Sequence, residues 1–199
     1  MEHESPVGAG TVDSAVLLES RLVAAARQGD VRAFETLVGE HSPRLQRTLR
    51  HIVGSAEDAE EVLQEALLKA WRGLPGFRAE ARFSTWLYRI AMNEANRRLA
   101  RNARRASLPI DDVMLELPDL TDGPAALAEA NELEEHLQQC IAALPVQYRA
   151  AVVLRDVQGL SNEEAASVLE LELRNFKSRL HRGRMAIRQM VEERYSSTP

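Results

Sequence analysis

Two clusters of polar and basic side chains in this 199-residue sequence could bind nucleic acid. The first lies on a helix predicted over 83–105, and the second lies on a helix predicted over 173–192. Amide, hydroxyl and guanidinium donors of this kind suit base edges and phosphates. At about 100° per residue, one face of the first helix collects Thr85, Arg89, Met92, Asn93 and Asn96.

The second cluster is strongly basic, because residues 173–191 hold six Lys and Arg side chains and no acid. A helix whose charged face only contacts solvent usually carries both acidic and basic side chains. A solvated amphipathic helix is therefore the weaker interpretation of this segment. The upstream segment Ser161 to Glu164 has the pattern of a capping box and predicts a short helix that ends near Leu169. A short helix, a tight turn and a longer helix predict a helix-turn-helix, whose second helix enters the major groove. The apolar spine of that second helix is predicted at Leu173, Phe176, Leu180 and Ile187.

Aromatic and arginine side chains alternate around the Gly73-Leu74-Pro75-Gly76 loop just before the first cluster. Phe77, Phe83 and Trp86 stand beside Arg78 and Arg82. Unpaired bases stack on aromatic rings while the phosphate backbone lies on positive charge, so this pattern is typical of a single-strand site. For Phe83 and Trp86 the alternative, a place in the core of the bundle, is favoured. The loop over 77–82 is harder to explain as core.

The predicted helix over 56–72 has the opposite charge. Asp58, Glu61 and Glu65 recur at helical spacing with Gln64 alongside. Such an acidic stripe could simply be solvated. Its functional interpretation is docking onto a basic helical partner, with charge supplying steering and register.

Enzymatic chemistry finds little support in the sequence. The five histidines are scattered, and we find no nucleophile paired with a base and no Gly-rich phosphate loop. His136 and Cys140 fall four residues apart on one predicted helix, but structural zinc requires two more ligands and none is nearby. We therefore expect a protein that is not an enzyme, with no cofactor and no metal.

The chain as a whole is predicted to be all-α, with two small helical domains joined by an acidic flexible linker. Residues 1–14 carry no readable signal and are predicted to be disordered. The first domain covers 15–107, the linker 108–125 and the second domain 126–195. The net charge of -5 conceals this division, because residues 108–148 hold nine acids and no base. A single cysteine and the absence of a long apolar run or a basic leader predict a cytoplasmic protein with no membrane insertion.

Two blocks of motifs in this order resemble a known family. The stretch from Asp58 to Trp71, with Phe77-Arg78 and the run from Phe83 to Ala91, resembles region 2 of sigma-70-type bacterial transcription initiation factors. Leu144-Pro145, Tyr148-Arg149, Leu154 to Asp156, Gly159 to Ser161, Glu164 to Ala166 and Lys177 to Arg182 resemble region 4. With these two regions and a short acidic joint, the chain is similar to the extracytoplasmic-function (ECF, group 4) class.

The resemblance implies a function for each charged surface. The acidic helix would grip the clamp helices of the largest subunit of core RNA polymerase, region 4 would meet the flap of the second-largest subunit, and the linker would thread the nucleic-acid channels. The chain would recognise the -35 promoter element as duplex, melt the -10 element and capture it, with an anti-sigma factor as a further candidate partner. The implied polymerase-binding residues are Asp58, Glu61, Gln64 and Glu65. The implied -10 residues are Phe77, Arg78, Ala79, Arg82, Phe83, Ser84, Thr85, Trp86, Arg89, Asn93, Asn96 and Arg97. The implied -35 residues are Arg174, Asn175, Lys177, Ser178, Arg179, His181, Arg182 and Arg184.

One departure from the family pattern lies in the helix-turn-helix turn, where Glu170 and Glu172 replace the usual Gly and small polar cap. This departure puts the -35 sequence preference in doubt, and Glu172 would either cap the following helix or repel DNA. The alternative function is a two-domain helix-turn-helix regulator that binds DNA without polymerase docking. Such a regulator would bind duplex tightly by itself, whereas a sigma factor would bind promoters poorly until complexed.

Overall fold

The computed structural model describes residues 9–106 and 128–196 of the chain. Within these ranges no strand occurs, which confirms the predicted all-α class. A short 3-10 turn, Leu74–Gly76, follows α3, and a π-helical turn, Val153–Val157, continues α6. The described helices are α1 (Ala9–Arg27), α2 (Val31–Val53), α3 (Ala56–Gly73), α4 (Phe83–Ala106), α5 (Ala128–Ala143), α6 (Val146–Val152), α7 (Asn162–Val168) and α8 (Leu173–Ser196).

Helix α1 begins earlier than the sequence predicts. Residues 9–14 were predicted to be disordered, but α1 already includes them. The reason is local, because no proline lies between Pro6 and Pro43 and nothing stops the helix from extending toward its N-terminus. Residues 1–8 and the predicted linker over 108–125 lie outside the described residues.

The first domain packs α2, α3 and α4 against one another, with α1 against α2. Asp30 caps α2 by accepting a hydrogen bond from Ala33 N at 3.1 Å. Gly54 ends α2 in the left-handed conformation (φ 80°), and Ser55 at once caps α3. This two-residue junction reverses the direction of the chain, so that α3 packs against α2 and the apolar faces of the two helices meet. The fully buried side chains of this core include Leu37, Leu45, Leu49, Ile52, Leu74, Phe83 and Leu87.

The second domain builds the predicted helix-turn-helix from α7 and α8, supported by α5 and α6. The capping box is confirmed: Ser161 Oγ accepts from Glu164 N at 3.0 Å, and Glu164 Oε2 accepts from Ser161 N at 2.9 Å. The hydrogen bond from the Ser161 backbone is the main reason why the pKa of Glu164 lies below its usual value. The box fixes where α7 starts, and therefore how the turn presents α8.

A buried arginine holds the second domain together and joins it to the first. Arg149 is 0% exposed, and its guanidinium donates to the carbonyls of Ala142 (2.7 Å), Leu144 (2.7 Å) and Ile52 (3.0 Å). Burial lowers the pKa of Arg149 to about 10, so the group is still charged near neutral pH. These carbonyls lie where α5 and α2 end, and helix ends leave carbonyls without intrahelical partners. Arg149 therefore caps two helices from different domains.

Close packing of α6 on α8 requires a glycine. A Cβ on Gly183 would lie 2.7 Å from Val152 Cγ2 and 3.3 Å from the Tyr148 carbonyl oxygen. On the exposed face of α2, by contrast, a Cβ on Gly39 would meet nothing within 4 Å.

We expect Gly183→Ala to lower the free energy of unfolding by about 1 kcal/mol, because the overpacking cost exceeds the gain in helix propensity. Gly39→Ala, the matched control, should raise it by about 0.5–1 kcal/mol. Urea unfolding of both variants checks this pair of opposite signs. Equal stabilisation by the two substitutions would show that α6 and α8 are not in close contact.

Candidate nucleic-acid interface

The outer face of α8 carries an open basic surface. Phe176 and Leu180 are buried against the domain and Ile187 is partly buried, as the predicted spine requires, but Leu173 is 36% exposed and does not belong to it. Leu173 is the first residue of α8, where the helix has not yet reached its neighbours. Arg179 is half-buried. The exposed predicted residues are Arg174, Asn175, Lys177, Ser178, His181, Arg182 and Arg184.

A polar hollow of about 240 Å³ lies where α8 meets α7 and the end of α6. Arg184 at its edge is held by Asp156, with Nε to Oδ2 at 2.9 Å and Nη2 to Oδ1 at 2.5 Å. The arrangement gathers several cations around one concave site. The lining residues are Arg155, Asn162, Lys177, Leu180, His181 and Arg184. Arg155 was not predicted as a site residue. Its position in the sequence, directly before Asp156, does not indicate that it lines a basic hollow.

The turn between α7 and α8 tolerates its unusual sequence. Glu170 adopts a left-handed conformation (φ 54°), the conformation that a glycine usually supplies. Glu172 directly precedes α8, at the N-cap position, where a negative charge interacts favourably with the helix dipole. The two acids therefore leave the helix-turn-helix intact.

The polar face of α4 is smaller than predicted. Asn93, Asn96 and Arg97 are exposed, and Arg89 is half-buried. Thr85 and Met92 are 5% and 1% exposed, so the prediction of Thr85 as a DNA contact is corrected. The physical reason is that α4 is packed on more sides than one amphipathic stripe implies, since it contacts α2, α3 and α7.

The aromatic side chains around the loop form a buried cluster. The rings of Phe77 and Trp86 lie 5.0 Å apart, and Phe83 lies 6.2 Å from Phe77 and 5.8 Å from Trp86. Phe83 is 1% exposed, in agreement with the core position that was favoured for it over stacking on a base. Phe77 is 6% exposed, so the expectation that it lies in an exposed loop and stacks on a base is corrected. The 3-10 turn at 74–76 directs Phe77 inward. Trp86 and Ser84 are partly exposed.

The cluster leaves the rest of the loop on the surface. Arg78, Ala79 and Arg82 are exposed, and Ala79 adopts a positive φ of 55°. A non-glycine residue in this region is strained, and such positions concentrate at functional segments. The aromatic cluster thus anchors a loop whose exposed part carries two arginines.

The acidic residues of α3 do not form a free stripe. Arg98 of α4 pairs with Asp58 and, at 2.5 Å, with Glu61, while Arg101 lies 3.8 Å from Glu65. Asn102 Nδ2 also donates to Asp58 at 2.8 Å. Although its burial opposes ionisation, these hydrogen bonds and charges hold the pKa of Asp58 below its usual value. Part of the arginine run of α4 is thus used inside the domain.

The exposed face of α3 extends beyond the residues predicted for docking. Glu57 and Glu60 are exposed together with the predicted Gln64, and Leu68 is 57% exposed beside them. Their spacing of three, four and four residues marks one helix face and could have been found from the sequence. Asp58 lies instead at the edge of the buried contact with α4.

Arg97 is positioned by a buried carboxylate. Glu94 is 2% exposed, and its oxygens lie 2.6 Å from Arg97 Nη1 and 2.5 Å from Lys69 Nζ. Arg97 nevertheless has a side chain that is 63% exposed. Glu94 was missed because nothing in the sequence distinguishes it from a solvated acid.

Metal ligation has no support in the described parts of the chain, where no three His, Cys, Asp or Glu side chains are grouped as a metal site requires. His136 Nε2 lies 3.7 Å from Cys140 Sγ, and Arg194 Nη1 lies 3.1 Å from His136 Nδ1. Burial raises the pKa of Cys140. The contacts fit packing between α5 and α8.

Among the described residues, none of the helices is long and apolar enough to cross a bilayer.

Comparison with known families accounts for both surfaces. The model of sigma-70 region 2 matches residues 37–105, and a model of sigma-70 region 4 matches residues 134–187. The chain belongs to the sigma-70 family. The region 2 match covers α3, the loop and α4 to residue 105, and the region 4 match covers α7, the turn and α8 as far as residue 187.

The relatives of this sigma factor place it in the extracytoplasmic-function group. It is 36% identical over 178 residues to the RNA polymerase sigma-H factor of Pseudomonas aeruginosa, covering 85% of this chain and 91% of the relative. It is 35% identical over 185 residues to the ECF RNA polymerase sigma-E factor of Escherichia coli K12, covering 88% and 95%. These matches support an RNA polymerase sigma factor and give no support to a regulator that acts without polymerase.

Solved structures agree with this fold. The structure of CnrH in complex with the cytosolic domain of CnrY has a TM-score of 0.65 and 25% identity, covering 88% of this sigma factor and 98% of CnrH. The sigma factor RpoE of Bartonella quintana, solved with the anti-sigma factor NepR, has a TM-score of 0.65 and 22% identity, covering 81% and 98%.

Proposed function

We propose that this sigma factor directs core RNA polymerase to promoters through three surfaces, and that it performs no catalysis of its own. The observation that carries the proposal is the presence, in one chain, of two separate donor-rich surfaces. One is the outer face of α8, and the other is the exposed part of α4 with its preceding loop. A chain that reads one duplex element and holds one unpaired strand requires two such surfaces.

For polymerase docking we propose the exposed face of α3. Glu60, Glu61 and Gln64 are exposed there, with Leu68 available for apolar contact, and a basic helical partner fits this combination. The clamp helices of the largest subunit are the partner that the resemblance implies, with the flap of the second-largest subunit meeting region 4. Asp58 and Glu65 act mainly through their ion pairs with α4, which fix the orientation of α3.

For the -10 element we propose a surface of exposed donors. Arg78 and Arg82 in the loop suit the phosphates of an unpaired strand, while Asn93, Asn96 and Arg97 suit base edges. Ser84 and Arg89 lie between these two groups in the sequence, and both are partly exposed. Phe77, Phe83 and Thr85 serve the site by holding the loop against α4. Flipping a base out of the stack costs a few kcal/mol, which a preformed surface offsets.

For the -35 element we propose that α8 lies in the major groove. Arg174, Asn175 and Lys177 at its start reach base edges, and Arg182 and Arg184 reach phosphates. The polar hollow offers a place for one of these phosphate contacts, because Arg155, Lys177 and His181 line it together. Ser178 and Arg179 complete the predicted contact surface.

We expect Arg182→Ala to weaken duplex binding by the holoenzyme at all sequences and to reduce the slope of log affinity against log salt by about 1. Arg182 is exposed, and its Nη1 lies at a long 3.4 Å from the Tyr148 hydroxyl. Arg188→Ala is the matched control, since Arg188 pairs with Glu192 at 2.7 Å. Filter binding over a salt series measures both slopes. Identical slopes for the two variants would remove Arg182 from the interface.

A further partner proposed from the family resemblance is an anti-sigma factor. CnrH, the structural relative at 25% identity, was solved with the cytosolic domain of CnrY. A protein of this kind would act where the polymerase is, in the bacterial cytoplasm.

Comparison of the free protein with the holoenzyme tests the proposed function. We expect the free sigma factor to bind promoter duplex weakly, and its mixture with core polymerase to protect a defined fragment around both elements from nuclease. Core polymerase alone is the control. Tight, sequence-specific protection by the free protein, unchanged by core polymerase, would contradict the proposal.

A further inference from the structure

A buried carboxylate joins α3 to α4 at the edge of the -10 surface. Glu94 of α4 is 2% exposed, and each of its oxygens holds a different cation. Oε2 lies 2.5 Å from Lys69 Nζ of α3, and Oε1 lies 2.6 Å from Arg97 Nη1 of α4. Lys69 belongs to none of the surfaces proposed above. Because one carboxylate holds both head groups, the ammonium and the guanidinium are neighbours although they come from different helices.

Both cations remain accessible to solvent. The side chains of Lys69 and Arg97 are 44% and 63% exposed, whereas that of Glu94 is 3% exposed. A carboxylate this deeply buried requires a partner, but its partners do not have to stay exposed. We call these three residues the Glu94 clamp. The clamp carries two positive charges against one negative charge, and the negative charge lies on the inner side.

The neighbouring arginine shows that exposure at this point of α4 is not automatic. Arg98 has a side chain that is only 20% exposed, and it pairs with Asp58 and Glu61 of α3. Arg97 instead shares a face of α4 with Asn93, which lies four residues earlier and is exposed. Arg98 thus stabilises the contact between the helices, while Arg97 is held at the -10 surface.

Holding an arginine in place matters more for reading a base than for binding a phosphate. A phosphate contact carries no sequence information, whereas a base edge is read by donors in a defined geometry, as when a guanidinium donates to O6 and N7 of guanine. An exposed arginine that nothing holds loses rotamer freedom when it binds. Since Glu94 engages Nη1, Arg97 keeps its Nε and Nη2 donors for such an edge.

Resting on the function proposed for the -10 surface, we propose that Glu94 is a positioning residue that sets sequence discrimination there. It holds Arg97 in the orientation that reads a guanine in the unpaired strand. It also draws Lys69 from α3 to this surface, where the ammonium contacts a neighbouring phosphate. The Glu94 clamp therefore combines a base contact with a backbone contact.

Selection from a library tests the role of Glu94. Holoenzyme, formed with saturating core polymerase, is mixed with single-stranded oligonucleotides that are randomised over the -10 segment, and the bound fraction is sequenced. We expect the wild type to prefer guanine at one position, and Glu94→Gln to reduce that preference about tenfold. Total binding should be equal or greater, because a negative charge near the phosphates is removed. A purely structural role would instead weaken binding to every sequence.

Arg97→Ala and a matched control complete the selection experiment. Arg97→Ala should reduce the same guanine preference, and adding Glu94→Gln to it should cause no further loss. Glu192→Gln is the control, since Glu192 pairs with Arg188 at 2.7 Å on α8, outside the -10 surface. It should retain the preference. Circular dichroism should show equal helical content in all variants, because glutamine has nearly the shape of glutamate.

Three results of the selection would overturn the proposal. The first is a Glu94→Gln variant that keeps the full guanine preference. The second is a uniform loss of binding in that variant, and the third is an Arg97→Ala variant that leaves every preference unchanged. A wild-type holoenzyme that selects no sequence at all would instead contradict the proposed -10 function, so the two failures are distinguishable.

The salt dependence of strand binding tests Lys69 separately. We expect Lys69→Ala to lower holoenzyme affinity for all single-stranded oligonucleotides and to reduce the slope of log affinity against log salt by about 0.7, as the loss of one phosphate contact requires. The guanine preference should remain, because Glu94 and Arg97 are both present. Arg188→Ala, which also removes a cation paired with an acid, is the control. An unchanged slope for Lys69→Ala would remove Lys69 from the interface and overturn its part of the proposal.

Discussion

Arg149→Met is expected to lower the free energy of unfolding by about 3 kcal/mol, one of the two largest effects we predict. Methionine fills much of the buried volume but donates no hydrogen bond, so the carbonyls of Ile52, Ala142 and Leu144 lose their donor. Buried acceptors left without partners cost more than the bonds themselves contributed. Arg149→Lys should be less damaging, since an ammonium group can still donate to some of the three.

Urea unfolding monitored in two ways checks the Arg149 prediction. Trp71 and Trp86, the two tryptophans, report on the first domain, while circular dichroism reports on both. Arg47→Met on the exposed face of α2 is the control and should stay within about 0.5 kcal/mol of wild type. If Arg149→Met unfolds at the same urea concentration as this control, Arg149 does not cap α2 and α5.

Reversing charge on the exposed face of α3 should produce the other large effect. We expect Glu60→Lys with Gln64→Lys to weaken binding to core polymerase at least tenfold, about 1.4 kcal/mol, because two like charges then face a basic partner. Both side chains are exposed, and the ion pairs of Asp58 and Glu61 with Arg98 are left in place.

The matched control for this experiment carries the same change of charge on another helix. Glu35→Lys with Gln46→Lys also raises the net charge by three at exposed positions, but on α2. Fluorescence-detected binding to core polymerase compares the two pairs. If neither pair weakens binding to core polymerase, the docking surface lies elsewhere. If both pairs weaken it to the same extent, the effect comes from net charge alone.

Asp58 illustrates what charge patterning can and cannot predict. Its helical spacing with Glu61 and Glu65 was readable from the sequence, and the three acids do share one side of α3. That α4 supplies Arg98, Arg101 and Asn102 to that side depends on tertiary packing, which a single helix does not encode. Asp58→Lys would put a cation beside Arg98 and destabilise the bundle, so it is a poor probe of docking.

Helix positions were predictable because their determinants are local. Ser161 and Glu164 specify the start of α7 through hydrogen bonds within four residues. The start of α4 at Phe83 was also expected, since a loop that contains Gly73, Pro75 and Gly76 precedes it. Helix α1, which lacks a stop signal on its N-terminal side, begins before its predicted start, and α8 continues four residues past its predicted end at 192.

Burial on α4 was harder to predict because several elements pack on it. Thr85 and Met92 fit a polar face by periodicity, yet they are buried. Phe77 fitted an exposed loop by its neighbours, yet it completes an aromatic cluster with Phe83 and Trp86. On α8, where one side meets the domain and the other meets solvent, the same reasoning placed the basic residues correctly on the outside.

Run-off transcription from a promoter library tests the central claim most directly. Core RNA polymerase is incubated with the library in the presence and absence of the sigma factor, and transcripts are sequenced. The account predicts strong initiation only with the sigma factor, from templates that share two spaced elements, and its loss when Glu60→Lys and Gln64→Lys are combined. Transcript yields no higher than those of core polymerase alone would contradict it.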